Sequence, residues 1–98
     1  MAAYIIASYR VTRPEGFGLY PAKATETLMQ HGAEILVVDM DTEVIEGETR
    51  PVTVILKFDS KAAARAWYDS PEYQAALPLR AANSEGSMVL VDGFVPPS

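Results

Sequence analysis

Cysteine is absent from this chain, which excludes disulfide staples, thiol catalysis and thiolate metal sites together. Stability must therefore come from burial. Histidine occurs once, at His31, and a single imidazole without thiols would need several carboxylates converging on it to hold a metal. No metal and no cofactor is expected. Basic residues are few and scattered, eight Lys and Arg against thirteen Asp and Glu for a net charge of −5. Binding to a phosphate backbone rests on clustered cations, so nucleic acid is not expected as a partner. No apolar run approaches the roughly 20 residues that span a bilayer. The start, Met1-Ala2-Ala3-Tyr4, lacks the basic-then-apolar order of a secretion signal. A cytoplasmic protein without a membrane partner is expected. A glycine-rich phosphate loop is also missing, since Gly16-Phe17-Gly18 has neither the following glycine nor the strand-to-helix position.

What is present is apolar: 49% of the 98 residues are hydrophobic, enough for one core but not for a second lobe. One domain over residues 1–98 is expected. Ala3 to Tyr9 is a run of aromatic, β-branched and small residues without helical spacing, and reads as a strand. Thr12-Arg13-Pro14-Glu15 opens a helix, with threonine able to cap free N–H groups and glutamate suited to the positive end of the dipole. Phe17, Tyr20, Ala24, Leu28 and His31 then fall at spacings of three and four, an inward stripe that stops at Gly32. Pro21 removes a backbone donor inside this stretch, which predicts a kink or a late helix start.

Ile35 to Val38 and Thr42 to Ile45 read as extended, separated by a polar bulge or turn. Gly47 to Pro51 is a turn, and Val52 to Phe58 is the clearest strand. Asp59-Ser60 caps a second helix with Ala63, Ala66 and Trp67 inward. Ser70-Pro71-Glu72 restarts a short helix carrying Tyr73, Leu77 and Arg80 on one stripe, with Pro78 interrupting its second turn. Met88 to Val95 is the last strand, before a loose Pro-Pro-Ser tail.

The order strand, helix, strand, strand, helix, strand suits a split βαβ arrangement of α+β class, an antiparallel sheet with both helices on one face. Val52, Val54, Leu56 and Phe58 line one face of the third strand and Ile55 the other; Val89 and Val91 likewise oppose Met88 and Leu90. Two helices cover one face only, so the second calls for a partner. A two-fold homodimer packed sheet to sheet is expected.

Several segments together resemble a known family: Tyr4-Ile5-Ile6-Ala7, Val11-Thr12 with Pro14-Glu15-Gly16, the His31-Gly32 helix end, Phe58-Asp59-Ser60, and Ala64-Arg65-Ala66-Trp67-Tyr68-Asp69-Ser70-Pro71-Glu72-Tyr73-Gln74 through Leu79-Arg80. The chain is similar in these to the domain-of-unknown-function family thirteen-thirty, nearly end to end. The resemblance implies a ferredoxin-like βαββαβ fold assembled as a dimeric α+β barrel, with a small pocket between sheet and helices. It implies no single activity, because the wider superfamily holds cofactor-free monooxygenases, lactone isomerases and plain ligand binders. Family members often have two glycines at the helix end and an arginine with two more glycines after the second strand. This chain has Gly32-Ala33 and Val38-Asp39-Met40 at those places. That leaves Arg80 as the main candidate cation in the helical half.

His31 is the candidate general acid or base, although a histidine at a helix end before glycine is also accounted for by the negative end of the dipole. Tyr73 and Arg80 are candidate ligand contacts. A guanidinium on an apolar stripe is costly unless an anion meets it, and that anion is either Glu46 of the same chain or a carboxylate or enolate on a small ligand. Tyr73 either donates to a ligand oxygen or buries its ring with the hydroxyl bonded internally. Trp67 reads as core, with pocket lining as its other role. Ser70 reads as a helix cap rather than a nucleophile. Asp39, Asp41 and Glu43 alternate like metal ligands, yet a solvated strand edge explains them. Two functions fit. One is a dimeric small-molecule binding or accessory module; the other is a cofactor-independent, monooxygenase- or isomerase-like enzyme acting on a small anionic or enolisable substrate.

Overall fold

The computed structural model describes residues 1–97. Its elements are β1 (Ala3–Val11), α1 (Pro14–Phe17), α2 (Tyr20–Gln30), β2 (Glu34–Asp39), β3 (Val52–Phe58), α3 (Lys61–Tyr68), α4 (Pro71–Ala81) and β4 (Ser84–Asp92). The strands form one antiparallel sheet in the order β2-β3-β1-β4. This is the α+β, ferredoxin-like arrangement expected from the order of elements.

Alternation along β1 sets the two faces. Ala3, Ile5, Ala7 and Tyr9 are buried while Tyr4, Ile6 and Ser8 are half-exposed, as the two-residue period of a strand requires. Register carries the same division across the sheet: Ile5 lies opposite Leu56 and Leu90, and Ala7 opposite Val54 and Met88. These residues share a core with Tyr20, Ala24 and Leu28 of α2 and with Ala64 and Trp67 of α3, so the helices cover that face. On the other face Val37, Ile55, Ile6 and Val89 are successive cross-strand neighbours. They form one apolar stripe across all four strands, and Val89 is 48% exposed.

Local chemistry accounts for the helix ends. Pro21 sits in the first turn of α2, where its missing N–H would have had no partner anyway. The late start replaces a kink. Gly32 adopts φ +68°, and the Gly32 N–H donates to Met29 O at 3.3 Å while the Ala33 N–H donates to Leu28 O at 3.0 Å. That pair of bonds is a Schellman closure, which favours glycine at this position. The Ser60 hydroxyl accepts from the Ala63 N–H at 3.0 Å and opens α3. Ser70 joins the next two helices: its hydroxyl donates to Trp67 O at 2.7 Å and accepts from the Tyr73 N–H at 3.2 Å. Its role is the cap that the Ser-Pro-Glu sequence implies.

Five expectations need correction. Thr42–Ile45 is not a strand; β3 already pairs with β2 on one edge and β1 on the other, so no edge is free for it. The irregularity in this region falls inside β2, between Ile35 and Val37. The last strand starts at Ser84 and ends at Asp92, because β1 offers partners from Val11 to Ala3 along that length. On α3 the buried alanine is Ala64, at 0% exposure, three residues before Trp67, and Ala66 is exposed. Pro78 does not interrupt α4. It is exposed, so solvent can satisfy the carbonyl that its missing N–H leaves free. Finally, Thr12 does not cap α1: Arg13 holds the cap position without a side-chain bond, and the Thr12 N–H donates to Asn83 O at 2.8 Å.

Candidate functional site

A cavity of about 190 Å³ lies between the sheet and the helices. Its deep wall comes from buried residues of the core, among them Ala7, Leu56 and Trp67; Pro21, Thr25, Val38 and Met40 line its outer part. Val38 is 61% exposed and Met40 56%. The mouth therefore opens between α2 and the end of β2. Apart from Thr25 in the outer part, the wall is apolar except at the end where Tyr9, Tyr20 and Arg80 converge.

That end is built from aromatic rings. Tyr9 meets Phe17 with ring centroids 5.9 Å apart, Phe17 meets Tyr20 at 5.4 Å, and Tyr20 meets Tyr73 edge-on at 6.4 Å. The Arg80 guanidinium stands over the Tyr20 ring, 5.9 Å from its centroid, within the range of cation–π attraction. Its Nε donates to the Tyr73 hydroxyl at 3.4 Å, and that hydroxyl lies 2.8 Å from the hydroxyl of Tyr20. Among the described residues no carboxylate forms an ion pair with Arg80. The Tyr9 hydroxyl lies along the same wall, close enough for its ionisation to feel Arg80 and Tyr73.

Burial sets the protonation states. It pushes the Tyr20 hydroxyl far above the ordinary tyrosine value, reinforced by the adjacent Tyr73 hydroxyl, and the Arg80 charge offsets only part of this. Tyr9 is raised by burial too, against the lowering influence of Arg80. For Arg80, burial acts downward, but the Tyr73 and Tyr20 hydroxyls outweigh it and the net shift is upward. The guanidinium is a fixed cation in a wall of neutral phenols.

The sequence candidates are divided by this geometry. Arg80 and Trp67 line the cavity. Tyr73 is fully buried behind it, with its hydroxyl bonded to Tyr20 and Arg80. Trp67 stacks on Tyr73 with centroids 4.1 Å apart, and its indole N–H donates to Thr27 Oγ at 3.0 Å. His31 is not brought to this group. It caps the far end of α2, its backbone N–H donating to Leu28 O at 3.1 Å. The 11 residues of α2 separate it by about 16 Å along the axis from Tyr20 and Arg80. Glu46 does not pair with Arg80 either; it is exposed in the loop between β2 and β3. The internal ion pair is thus corrected, because that loop folds along β3 instead, with the Thr42 N–H donating to Pro51 O and Thr42 hydrogen-bonded to Thr53. Among the described residues no group of three or more His, Cys, Asp or Glu is placed to hold a metal. The Asp39 carboxylate accepts from the Asp41 N–H at 2.9 Å, a local turn contact. Tyr20 and Thr27 were legible only as helix positions, since their partners lie 53 and 40 residues away.

Residues 2–94 match the model of the domain of unknown function DUF1330. No curated protein matches the chain. Among solved structures it is similar to a protein of unknown function from Rhodopseudomonas palustris, at a TM-score of 0.80 and 15% identity over 97% of this chain and 84% of that one. It is also similar to SnoaB, a cofactor-independent oxygenase from Streptomyces nogalater, at 0.70 and 12% over 97% and 95%. A third is a dimeric protein of unknown function and ferredoxin-like fold from Bacteroides fragilis, at 0.55 and 18% over 92% of each chain. At these identities the likeness is one of fold. No helix among the described residues is long and apolar enough to cross a membrane. The chain belongs to the DUF1330 family.

Proposed function

We propose, with membership of this family as the premise, that the protein is a cytoplasmic, homodimeric small-molecule binding module whose cavity takes a small anionic ligand. Arg80 is the observation that carries the reading. A half-buried guanidinium is costly unless an anion meets it, and this one has a neutral phenol at 3.4 Å and no carboxylate among the described residues. Its charge is available to a carboxylate or enolate entering from the mouth. The cavity volume of about 190 Å³ limits the ligand. An apolar cavity of about 150 Å³ holds benzene, so a single substituted ring is the size that fits.

The homodimer rests on the outer face of the sheet. Among the described residues the Val37, Ile55, Ile6, Val89 stripe lies outside the core that the helices cover, and a second copy packed sheet to sheet buries it in a closed two-fold assembly. The alternative, a cofactor-independent enzyme, needs a group in the cavity that accepts a proton near neutral pH. His31 stands at the other end of α2, and burial keeps Tyr20 protonated. Binding is accordingly the better supported function.

Calorimetric titration with benzoate and with the enolate of cyclohexane-1,3-dione tests it. One site per chain is expected in the unaltered protein, with affinity reduced at least tenfold in Arg80→Met. Absence of saturable binding of both benzoate and the enolate of cyclohexane-1,3-dione by the unaltered protein contradicts the proposal.

A further inference from the structure

The hydrogen-bond chain that starts at Arg80 has a direction. A guanidinium only donates, so the Tyr73 oxygen is an acceptor in the 3.4 Å contact from Arg80 Nε. Two hydroxyl protons remain for Tyr73 and Tyr20, and their 2.8 Å contact uses one of them. If Tyr20 were the donor, the proton of Tyr73 would be left without an acceptor on a residue that is 0% exposed and does not line the cavity. An unmade bond of that kind is expensive in a buried site. If Tyr73 is the donor, the unused proton belongs to Tyr20, which does line the cavity. The Arg80 guanidinium stands over the Tyr20 ring, 5.9 Å from its centroid. Tyr73 thus acts on the Tyr20 oxygen as a donor and leaves its proton to point elsewhere.

We infer that the Tyr20 hydroxyl is the terminal donor of an Arg80–Tyr73–Tyr20 chain and fixes an oxyanion, carboxylate or enolate, of a single-ring ligand in the cavity. The inference rests on the binding reading above and adds the residue that selects the ligand's oxygen. Each link supports the next. The Arg80 charge polarises the Tyr73 hydroxyl, and Tyr73 in turn polarises that of Tyr20. An acidic hydrogen-bond donor beside a fixed cation suits an oxyanion better than a neutral ring. Burial holds Tyr20 in its protonated, donating form.

Tyr20→Phe tests this directly, because it keeps the ring that packs on Phe17 and Tyr73 and removes only the hydroxyl. Calorimetry or ligand-observed NMR with three probes separates the outcomes: benzoate as a carboxylate, the enolate of cyclohexane-1,3-dione, and toluene as a neutral ring. The expected result is a loss of about tenfold or more for whichever oxyanion binds the unaltered protein, with toluene changed less than twofold. An unchanged oxyanion affinity in a folded Tyr20→Phe protein overturns the inference and leaves the binding reading standing. Equal losses for oxyanion and toluene overturn it too, since they mark a change in cavity shape. If neither oxyanion binds the unaltered protein, both the inference and the binding reading fall. Selective loss for benzoate or for the enolate identifies which oxyanion the site prefers.

Discussion

The hydroxyls of Tyr20 and Tyr73 meet at 2.8 Å although the two residues stand 53 positions apart, and Arg80 approaches from one side of the pair. The pair closes one end of the cavity with neutral donors and a single cation.

Removing either hydroxyl should cost stability. Tyr73→Phe deletes both the acceptor for Arg80 and the donor to Tyr20, and is expected to lower stability by about 1–3 kcal/mol. Tyr20→Phe deletes the acceptor of the Tyr73 proton and strands that donor on a fully buried residue, and about 1–3 kcal/mol is expected here too. Urea denaturation of both variants measures the losses; no measurable loss in Tyr20→Phe would contradict the assigned bond direction, since a Tyr20 that only donates would strand no further proton on Tyr73.

Alkaline pH should weaken the fold. Tyr20 is raised by burial above its ordinary 10.0, and Tyr9 is raised as well, so the folded chain holds these protons after the unfolded chain has lost them. By linkage their contribution is complete below pH 10.0 and declines as pH rises from there towards the folded values. Stability measured by urea across this window is expected to fall, and to fall less steeply in Tyr20→Phe. A flat profile through the window contradicts the burial of these hydroxyls.

The indole of Trp67 depends on Thr27. Trp67 is 1% exposed and its N–H donates to Thr27 Oγ, which donates in turn to Ala24 O. Thr27→Val retains the branched shape and leaves the indole N–H unpaired, at an expected cost of about 1–3 kcal/mol. Trp67 is the only tryptophan, so its fluorescence follows the same unfolding transition and reports any change in its surroundings.

The sheet-to-sheet homodimer is tested at Ile55, the middle of the outer stripe next to Ile6 and Val37. Ile55→Lys places a charge where the second copy would pack, and light scattering should show a dimer for the unaltered protein and a monomer for the variant. A monomeric unaltered protein at micromolar concentration removes this part of the proposal.

How far the sequence carried differs from element to element. A run of aromatic, β-branched and small residues without helical spacing made β1 legible, alternation gave the faces of β3, and the Ser60 and Ser70 caps were readable because the bonds they make span only three residues. Thr42–Ile45 carried the same strand signal and failed it, since local composition does not reveal that both edges of β3 are taken. Pro78 was misjudged because its exposure depends on how α4 lies on the core. Arg80 and Trp67 were found from their places on apolar stripes. Tyr20 was read as core only, because its partner Tyr73 comes from another helix. Glu46 was weighed against a ligand as the anion for Arg80 on charge alone, and the path of its loop leaves it exposed and away from Arg80.

A crystal structure with 4-bromobenzoate tests the central claim most directly, because the anomalous signal of bromine locates the ring independently of the carboxylate. The account requires bromine inside the cavity towards Val38 and Met40, with the carboxylate against Arg80 and the Tyr20 hydroxyl. A bromine peak only outside the cavity, or a side-chain carboxylate of the protein itself occupying Arg80, would contradict it.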